Sequence, residues 1–315
     1  MTERVLITGA AGFVGRHLAR HLHEQGLIVH GLDRPVIPPP SGLYTAWHPC
    51  DITHAAQVAA VVGQLRPDYV FHLAALIKSE SLTDLFTVNV LGTQNVLDAL
   101  VAARPEARVL VAGSSAEYGL VRPDELPVRE DHPLRPLSPY GVSKVAQSLL
   151  AVQYVYRHNL AVVRTRTFNL TGPGEPDTLV CSAFARQIAE IERGLLPLVL
   201  KVGNLDSVRD FLDVRDAVRA YWLVAQHGEP GEVYNVCSGV ATPARGVLDV
   251  LLNLTSVKVE IQEEAKRHTA WDVPVQIGCF AQLNAKTSWR PEIALKESLE
   301  DNLSSWRKNT LREKH

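Results

Sequence analysis

The sequence RVLITGAAGFVG, residues 4–15, decides the fold of this chain. Its first five residues form an apolar β-type segment, and three glycines follow at a spacing of three: Gly9, Gly12 and Gly15. A helical pattern then covers residues 16–25. Strand, glycine turn and helix in this order predict a doubly wound α/β fold with a parallel sheet. In that fold the backbone N–H groups at the start of the helix receive a pyrophosphate.

The next strand-like segment, residues 27–32, ends at Asp33. A carboxylate at this place can accept hydrogen bonds from both ribose hydroxyls and repels a 2′-phosphate, which favours NAD(H). Arg34 follows directly and can offset that repulsion. The sequence therefore predicts a dinucleotide cofactor and leaves NAD(H) and NADP(H) both open.

Two later strand patterns end in residues suited to a ligand site. Residues 67–75 end in the small residues Ala74 and Ala75, and residues 108–115 end in Ser114 and Ser115. In an open α/β sheet, ligands bind at the carboxyl ends of the strands. We therefore expect Ser114 and Ser115 to lie at the ligand-binding edge of the sheet, and the small side chains of Ala74 and Ala75 would permit a close approach by a ligand.

Tyr140 and Lys144 lie four residues apart at the start of a predicted helix over residues 139–157. Ser138 is a favourable N-cap, and Pro139 suits the first helical position. The i, i+4 spacing puts both side chains on one helix face. A free phenol has a pKa of about 10, and a nearby ammonium group lowers it. The pair is therefore a candidate proton donor and acceptor.

Composition limits the class of protein. The chain has 315 residues, is 46% hydrophobic and 21% charged, and carries a formal net charge of −2. These values are typical of a soluble globular protein and give no electrostatic case for nucleic acid or a membrane surface. No uninterrupted apolar segment suggests a membrane span or a signal peptide, and the four scattered cysteines suggest reduced thiols. We expect a cytoplasmic location and no metal site.

Together these motifs resemble the extended branch of the short-chain dehydrogenase/reductase superfamily, the NAD-dependent epimerase/dehydratase family, over essentially the whole chain. The resemblance implies that Ser114 or Ser115 holds the substrate oxygen, that Tyr140 transfers the proton, and that Lys144 lowers the pKa of the tyrosine and binds the nicotinamide ribose. The implied cofactor-binding residues are Gly9, Gly12, Phe13, Val14, Gly15, Asp33, Arg34, Asp51, Ile52, Leu73, Ala74, Ala75, Tyr140 and Lys144. It also implies a homodimer through a four-helix interface formed by residues 93–103 and 139–157.

The second half is similar to a branch of this family that modifies GDP-mannose, through motifs such as VGNLDSVRDFLDVRD at residues 202–216. That branch dehydrates GDP-mannose or reduces its 4-keto-6-deoxy derivative. Dehydration needs an additional acid/base carboxylate, which the dehydratases place two residues before a Tyr-Gly pair. Counted back from Tyr118 without a gap, that position holds Ala116, whereas counting from Ser115 with a deletion puts Glu117 there. We prefer the ungapped count, which predicts a ketone reductase.

Three alternatives stay open at this point: a GDP-mannose dehydratase, a C4 epimerase with tightly held NAD, and a non-catalytic sensor of nucleotide sugars. Residues 1–168 are predicted to form the dinucleotide-binding domain, and residues 169–315 a smaller mixed α/β substrate domain. We expect segments such as 214–226 to pack back on the first domain. The candidate substrate contacts are Glu117, Asn169, Arg186, Lys201 and Arg209.

Of that set, Arg209 and Lys201 suit a diphosphate, because guanidinium and ammonium groups bind phosphate oxygens. For Arg209 the alternative is an internal ion pair with Asp210 or Asp213, and for Arg186 it is a place on a helix surface. The family often carries a further arginine, which reaches the nucleotide, shortly before a segment like Asp272-Val273-Pro274. Here the nearest arginine is Arg267, which departs from that pattern.

Overall fold

The computed structural model describes residues 3–34, 42–79, 81–264 and 273–312. The proline-rich segment 35–40, which predicts a surface loop, and Arg267 lie outside the described residues. Seven parallel strands form the main sheet in the spatial order β3-β2-β1-β4-β5-β6-β11. They are β1 (Arg4–Thr8), β2 (Ile28–Asp33), β3 (Ala46–Pro49), β4 (Tyr69–His72), β5 (Arg108–Ser114), β6 (Ala161–Thr167) and β11 (Val233–Val236). The order reverses at β1, which confirms the predicted doubly wound α/β fold with its parallel sheet.

Helices cover both faces of this sheet. They are α1 (Phe13–Glu24), α2 (Ala55–Leu65), α3 (Leu82–Phe86), α4 (Gly92–Ala103), α5 (Pro139–His158), α7 (Val214–His227) and α9 (Ala281–Thr287). The predicted start of α5 is confirmed: the Ser138 hydroxyl accepts a hydrogen bond from the Gly141 backbone N–H at 3.0 Å, and Pro139 is the first helical residue. The cap fixes where the first turn begins, and so where Tyr140 lies.

The second half builds a smaller layer with its own apolar core. Its strands are β7 (Asn169–Thr171), β8 (Val199–Val202), β9 (Val208–Arg209), β10 (Phe211–Asp213), β12 (Thr242–Pro243), β13 (Glu260–Glu263) and β14 (Val275–Gln276), which form three small sheets. Its helices are α6 (Val180–Glu192), α8 (Ala244–Leu252) and α10 (Leu295–Arg312). Phe184, Leu248 and Leu303 are buried together at the centre of this core.

Two elements of the second half return to the main sheet. Strand β11 pairs with β6 as the seventh strand, and α7 packs against α1. The buried face of α7, including Val218, Tyr221 and Trp222, belongs to the same core cluster as β1 and α1. The chain therefore crosses between the two cores more than once, so the two halves are interleaved in space.

Among the described residues, one continuous helical run, Leu82–Ala103, is long and apolar enough by length and composition alone to cross a membrane. Polar residues such as Asn89 and Asp98 divide this run, so it is not an uninterrupted apolar segment in the sequence. Its residues Val96, Leu97 and Leu100 are buried in a core cluster with α2. Their burial shows that this face packs inside the fold.

Candidate active site

A cleft of about 680 Å³ opens at the carboxyl ends of β1, β2, β4, β5 and β6. It brings together the glycine turn, both strand ends predicted to meet a ligand, and Tyr140 at the start of α5. All the predicted cofactor-binding residues except Lys144 line it: Gly9, Gly12, Phe13, Val14, Gly15, Asp33, Arg34, Asp51, Ile52, Leu73, Ala74, Ala75 and Tyr140. Segments as far apart as residues 9 and 276 thus contribute to one site.

The glycine turn provides the close backbone approach that a dinucleotide needs. A Cβ atom at Gly9, where φ is +70°, would lie 2.7 Å from the Ala74 backbone nitrogen, and a Cβ atom at Gly15 would lie 2.5 Å from the Gly9 oxygen. No side chain fits between these backbones, so they form a tight cradle at the N-terminus of α1. This geometry fits the pyrophosphate of a dinucleotide.

Asp33 lies at the end of β2, as the sequence predicts for a ribose-binding carboxylate. One of its oxygens accepts a hydrogen bond from the Ala11 N–H and the other from the Arg34 N–H, both at 2.8 Å. Asp51 is held by Thr53, whose hydroxyl donates at 2.8 Å, and Ile52 is buried beside it. Hydrogen bonds therefore orient both carboxylates, and Asp33 lies next to the exposed Arg34 in the sequence.

The two strand-end serines have different environments. The Ser115 hydroxyl is buried and donates to the Gln276 side-chain oxygen at 3.2 Å, while the Gln276 amide donates back to the Ser115 carbonyl at 2.8 Å. Ser114 is half-buried in the cleft, and its side chain interacts with Tyr140, where it opposes the rise in the pKa of the phenol. Of the two candidates, Ser114 therefore has the hydroxyl placed beside the tyrosine.

Burial raises the pKa of Tyr140 to about 12. The expected lowering by Lys144 is not found, because the Lys144 ammonium is directed to other acceptors. It donates to the Ala112 carbonyl at 2.6 Å and to the Gln147 side chain. The same burial lowers the pKa of Lys144 to about 8, against the opposing charge of Glu117. At neutral pH this site holds a protonated phenol beside an ammonium group.

Glu117 does not contact the cleft, contrary to its prediction as a substrate contact. A short 3-10 turn at Ser115–Glu117 rotates its side chain into the core, where it is fully buried. One carboxylate oxygen accepts from the Ser114 backbone N–H at 2.9 Å, and the other from Arg166 Nε at 2.9 Å. Ala116 lines the cleft at this point. Glu117 thus holds the carboxyl end of β5 from the core side, while Ala116 faces the cleft.

Of the predicted substrate contacts in the second half, Asn169 alone lines the cleft, and its amide donates to the Asp210 carbonyl at 3.3 Å. Arg186 lies on α6, where it pairs with Asp177 at 3.4 Å and Glu190 at 3.7 Å. Lys201 pairs with Glu264 at 3.0 Å. Neither side chain lines the cleft, so the diphosphate contact predicted for Lys201 and the substrate contact predicted for Arg186 stay predictions.

Arg209 is also absent from the residues that line the cleft. Its guanidinium donates to its neighbour's carbonyl, Val208, at 2.9 Å and to the Pro274 carbonyl at 3.4 Å. The proposed partners Asp210 and Asp213 have other roles: Asp210 binds Ser238 and the following backbone, while Asp213 caps α7. The binding of a diphosphate by Arg209 stays a prediction.

The fold and the site agree with a known family of enzymes. Residues 5–237 match the NAD dependent epimerase/dehydratase family. The chain belongs to this family. The match spans the glycine turn, both strand ends, the Tyr140–Lys144 pair and strand β11.

Among the members of the family, the chain is 36% identical to the GDP-6-deoxy-D-mannose reductase of Pseudomonas aeruginosa, over 97% of this chain and 98% of that protein. It is 28% identical to a GDP-mannose 4,6-dehydratase of Vibrio cholerae, over 82% of this chain and 74% of that one. The structure of RMD from Pseudomonas aeruginosa complexed with NADPH superposes with a TM-score of 0.85 at 35% identity, covering 98% of this chain and 100% of that one. The resemblance to this family inferred from the motifs is confirmed.

Several residues that line the cleft of this protein were not predicted from the sequence. Gln276 reaches the cleft from β14, 161 positions after the serine that it contacts. Tyr221 comes from α7, and its hydroxyl hydrogen-bonds the Thr167 hydroxyl at 2.7 Å. A glutamine in a short strand and a tyrosine in a buried helix carry no local signal of a site. The identification of α7 as an element that packs back on the sheet was the one available hint.

Proposed function

We propose that this protein reduces the C4 ketone of GDP-4-keto-6-deoxy-D-mannose with NAD(P)H and forms GDP-D-rhamnose. The relative with the higher identity over nearly full length is named for a reductase of this class. The cleft has room for a dinucleotide, and Ser114 at the end of β5 and Tyr140 at the start of α5 both line it. Its chemistry therefore suits the reduction of a carbonyl group.

One observation carries the choice of reductase over dehydratase. Ala116 faces the cleft, and the neighbouring carboxylate of Glu117 is buried in an ion pair with Arg166. Removal of the C5 proton and loss of the C6 hydroxyl need an acid/base group in contact with the sugar. An alanine cannot supply one, whereas ketone reduction needs a proton donor and a hydroxyl to hold the oxygen.

In this proposal the Tyr140 phenol donates its proton to the C4 oxygen as that oxygen gains negative charge. A pKa of about 12 keeps the phenol protonated at neutral pH, which suits a donor in the reducing direction. The Ser114 hydroxyl donates a hydrogen bond to the same oxygen and holds it beside the phenol. The Lys144 ammonium donates to Ala112 and Gln147, and in this proposal its remaining proton binds the nicotinamide ribose.

The cofactor would be held by the glycine turn and by Asp33, which meet at the N-terminus of α1. When bound, the reduced dinucleotide supplies the hydride that the carbonyl carbon receives. Arg34 lies beside Asp33 and leaves NADPH as well as NADH compatible with this edge of the cleft. Residues 169–315 would supply the sugar nucleotide site, with Asn169 and Gln276 as the contacts that reach the cleft.

The assay that tests this function offers the protein two substrates, each with NADH, NADPH and the oxidised cofactors. With GDP-4-keto-6-deoxy-D-mannose and a reduced cofactor, we expect a 6-deoxyhexose nucleotide, identified by NMR. With GDP-mannose and an oxidised cofactor, we expect unchanged sugar. Formation of the 4-keto-6-deoxy sugar from GDP-mannose would instead establish a dehydratase, and interconversion of C4 epimers without added cofactor would establish an epimerase.

A homodimer in the cytoplasm is part of the proposal. Val142, Leu149 and Tyr156 recur every seven residues on α5 and are 40%, 59% and 84% exposed. Such an apolar stripe beside α4 suits a second copy of the same helix pair, in a symmetric interface. Light scattering should give a dimer mass, and replacing Leu149 and Tyr156 with lysine should give a monomer. Leu198→Lys, at an apolar side chain of equal exposure elsewhere, should leave the dimer intact.

A further inference from the structure

A buried chain of hydrogen bonds runs from Lys144 into the interior of the first half. The ammonium donates to the Gln147 side-chain oxygen. The Gln147 amide lies 2.7 Å from the Thr93 hydroxyl, Thr93 lies 2.8 Å from His72 Nε2, and His72 Nδ1 lies 2.8 Å from the Thr8 hydroxyl. All five side chains are at most 2% exposed. The chain therefore connects the proposed catalytic lysine to the strand that precedes the glycine turn.

The two ends of this chain fix the direction of each hydrogen bond. The Thr93 hydroxyl lies 2.6 Å from the Asn89 carbonyl, which can only accept, so its proton is used there. Thr93 must then accept from Gln147 and from His72 Nε2. A neutral His72 that donates from Nε2 accepts at Nδ1, so it receives the Thr8 hydroxyl proton. Thr8 in turn accepts from the Ala74 backbone N–H at 3.3 Å.

These directions determine what Lys144 meets. Because the Gln147 amide N–H is used by Thr93, its carbonyl oxygen faces the ammonium. Burial, followed by the positive charge of Lys144, lowers the pKa of His72 to about 3, so the imidazole is neutral. The lysine is thus the one charge in this chain. Two of its three protons go to Ala112 and Gln147, which leaves one for a further acceptor.

We propose that Gln147 is a positioning residue for the reaction: held by Thr93 and His72, its carbonyl keeps the Lys144 ammonium charged and oriented. This inference rests on the proposed function for the role of Lys144. It goes beyond that proposal because it assigns a role to three buried residues that do not line the cleft: Gln147, Thr93 and His72.

Among the described residues, the titratable groups that interact with the ammonium are Glu117 and His72. Glu117 favours the charged lysine, and burial disfavours it, which puts the pKa of Lys144 near 8. Lys144 therefore loses its proton well before Tyr140 does. In the wild type, both kcat/KM and the affinity for NADPH should fall as the pH rises through about 8.

Two substitutions at one position separate this role from simple packing. Gln147→Met keeps the approximate size but removes the acceptor, so the high-pH limb of kcat/KM should move about one pH unit lower. Gln147→Glu replaces a dipole with a negative charge, so the limb should move about one unit higher. The NADPH dissociation constant, measured by fluorescence against pH, should shift in the same two directions. Loosened packing alone would move both variants in the same direction.

A second pair of variants changes Thr93, which holds Gln147, and tests the proposal if the Gln147 variants do not fold. Thr93→Val removes the hydroxyl that holds Gln147 and should shift both profiles toward lower pH, whereas Thr93→Ser retains the hydroxyl and should not. Gln153→Met, at an exposed glutamine of the same helix, is the matched control. Unmoved profiles in all buried variants, or shifts of equal sign in Gln147→Met and Gln147→Glu, would overturn the proposal. If the proposed sugar substrate is wrong, the pH dependence of the NADPH dissociation constant still tests the role of Gln147, because that measurement needs no sugar.

Discussion

The strand ends of the first half and the charged surface of the second half both carry residues that the sequence marks as site candidates. In the first half these residues meet in one cleft, and buried partners fix them: Ser114 is held by Glu117, and Lys144 by Gln147. In the second half the basic side chains of Arg186 and Lys201 form ion pairs on the surface. The difference shows that a site depends on residues that the backbone aims at one place, whereas surface charge alone does not define one.

The largest effect should follow from loss of the proton donor. Tyr140→Phe removes the phenol oxygen and little else, so kcat should fall by about 10²–10⁴-fold while the affinity for NADPH stays within about twofold. Steady-state kinetics with a fluorescence titration of the cofactor would measure both quantities. Unchanged turnover in this variant would show that Tyr140 is not the proton donor. The cleft of the first half would then have no more claim to the reaction than the surface charges of the second half.

The next effect compares a buried ion pair with an exposed one. Glu117→Gln leaves the buried Arg166 guanidinium without its counter-charge and should lower the free energy of unfolding by about 3 kcal/mol. Asp301→Asn makes the same chemical change in the second half, at a partner of Arg215 that is 41% exposed, and should cost less than about 1 kcal/mol. Urea unfolding gives both values. Equal losses would contradict the assignment of Glu117 to the core.

A smaller effect separates the two serines. Ser114→Ala removes a hydrogen bond to the oxygen that becomes charged, so kcat/KM should fall by about 10–10²-fold. Ser115→Ala removes a neutral hydrogen bond to Gln276 and should reduce it by less than about fivefold. Kinetics on the two variants would decide which hydroxyl acts. A larger loss for Ser115 would reverse the present choice.

The smallest effect concerns the second half itself. Arg186→Ala and Lys201→Ala should each change KM and kcat by less than about twofold, since exposed ion pairs contribute little. The matched comparison is Asn169→Ala, a cleft residue of the same half, which should raise KM for the sugar nucleotide. A rise in KM for Arg186→Ala or Lys201→Ala equal to that for Asn169→Ala would mean that these basic residues bind the diphosphate after all.

The parts of the fold that the sequence predicts are those set by neighbouring residues. The glycine turn requires specific backbone geometry, and the Ser138 cap with Pro139 fixes the first turn of α5. Parallel strands bring their carboxyl ends to one edge, so Ser114 and Ala74 could be placed near each other without knowledge of the loops. Each of these inferences needs only a few consecutive residues and the topology of the sheet.

The remaining parts depend on contacts between distant residues. Gln276 meets Ser115 across 161 residues, and nothing in the flanking sequence indicates that contact. Glu117 was misassigned because a single 3-10 turn decides whether its side chain faces the cleft or the core. The environment of Lys144 depends on Thr93 and His72 from two other elements, so its altered acidity could not be deduced from the Tyr-Lys spacing.

The most direct test of the proposed reduction is its stoichiometry. Purified protein, GDP-4-keto-6-deoxy-D-mannose and a limiting amount of NADPH would be mixed, with loss of absorbance at 340 nm compared against sugar product by NMR. The account predicts one NADPH oxidised for each ketone converted to a C4 alcohol. Conversion of the sugar without net oxidation of the cofactor, or oxidation of the cofactor without a C4 alcohol, would contradict it.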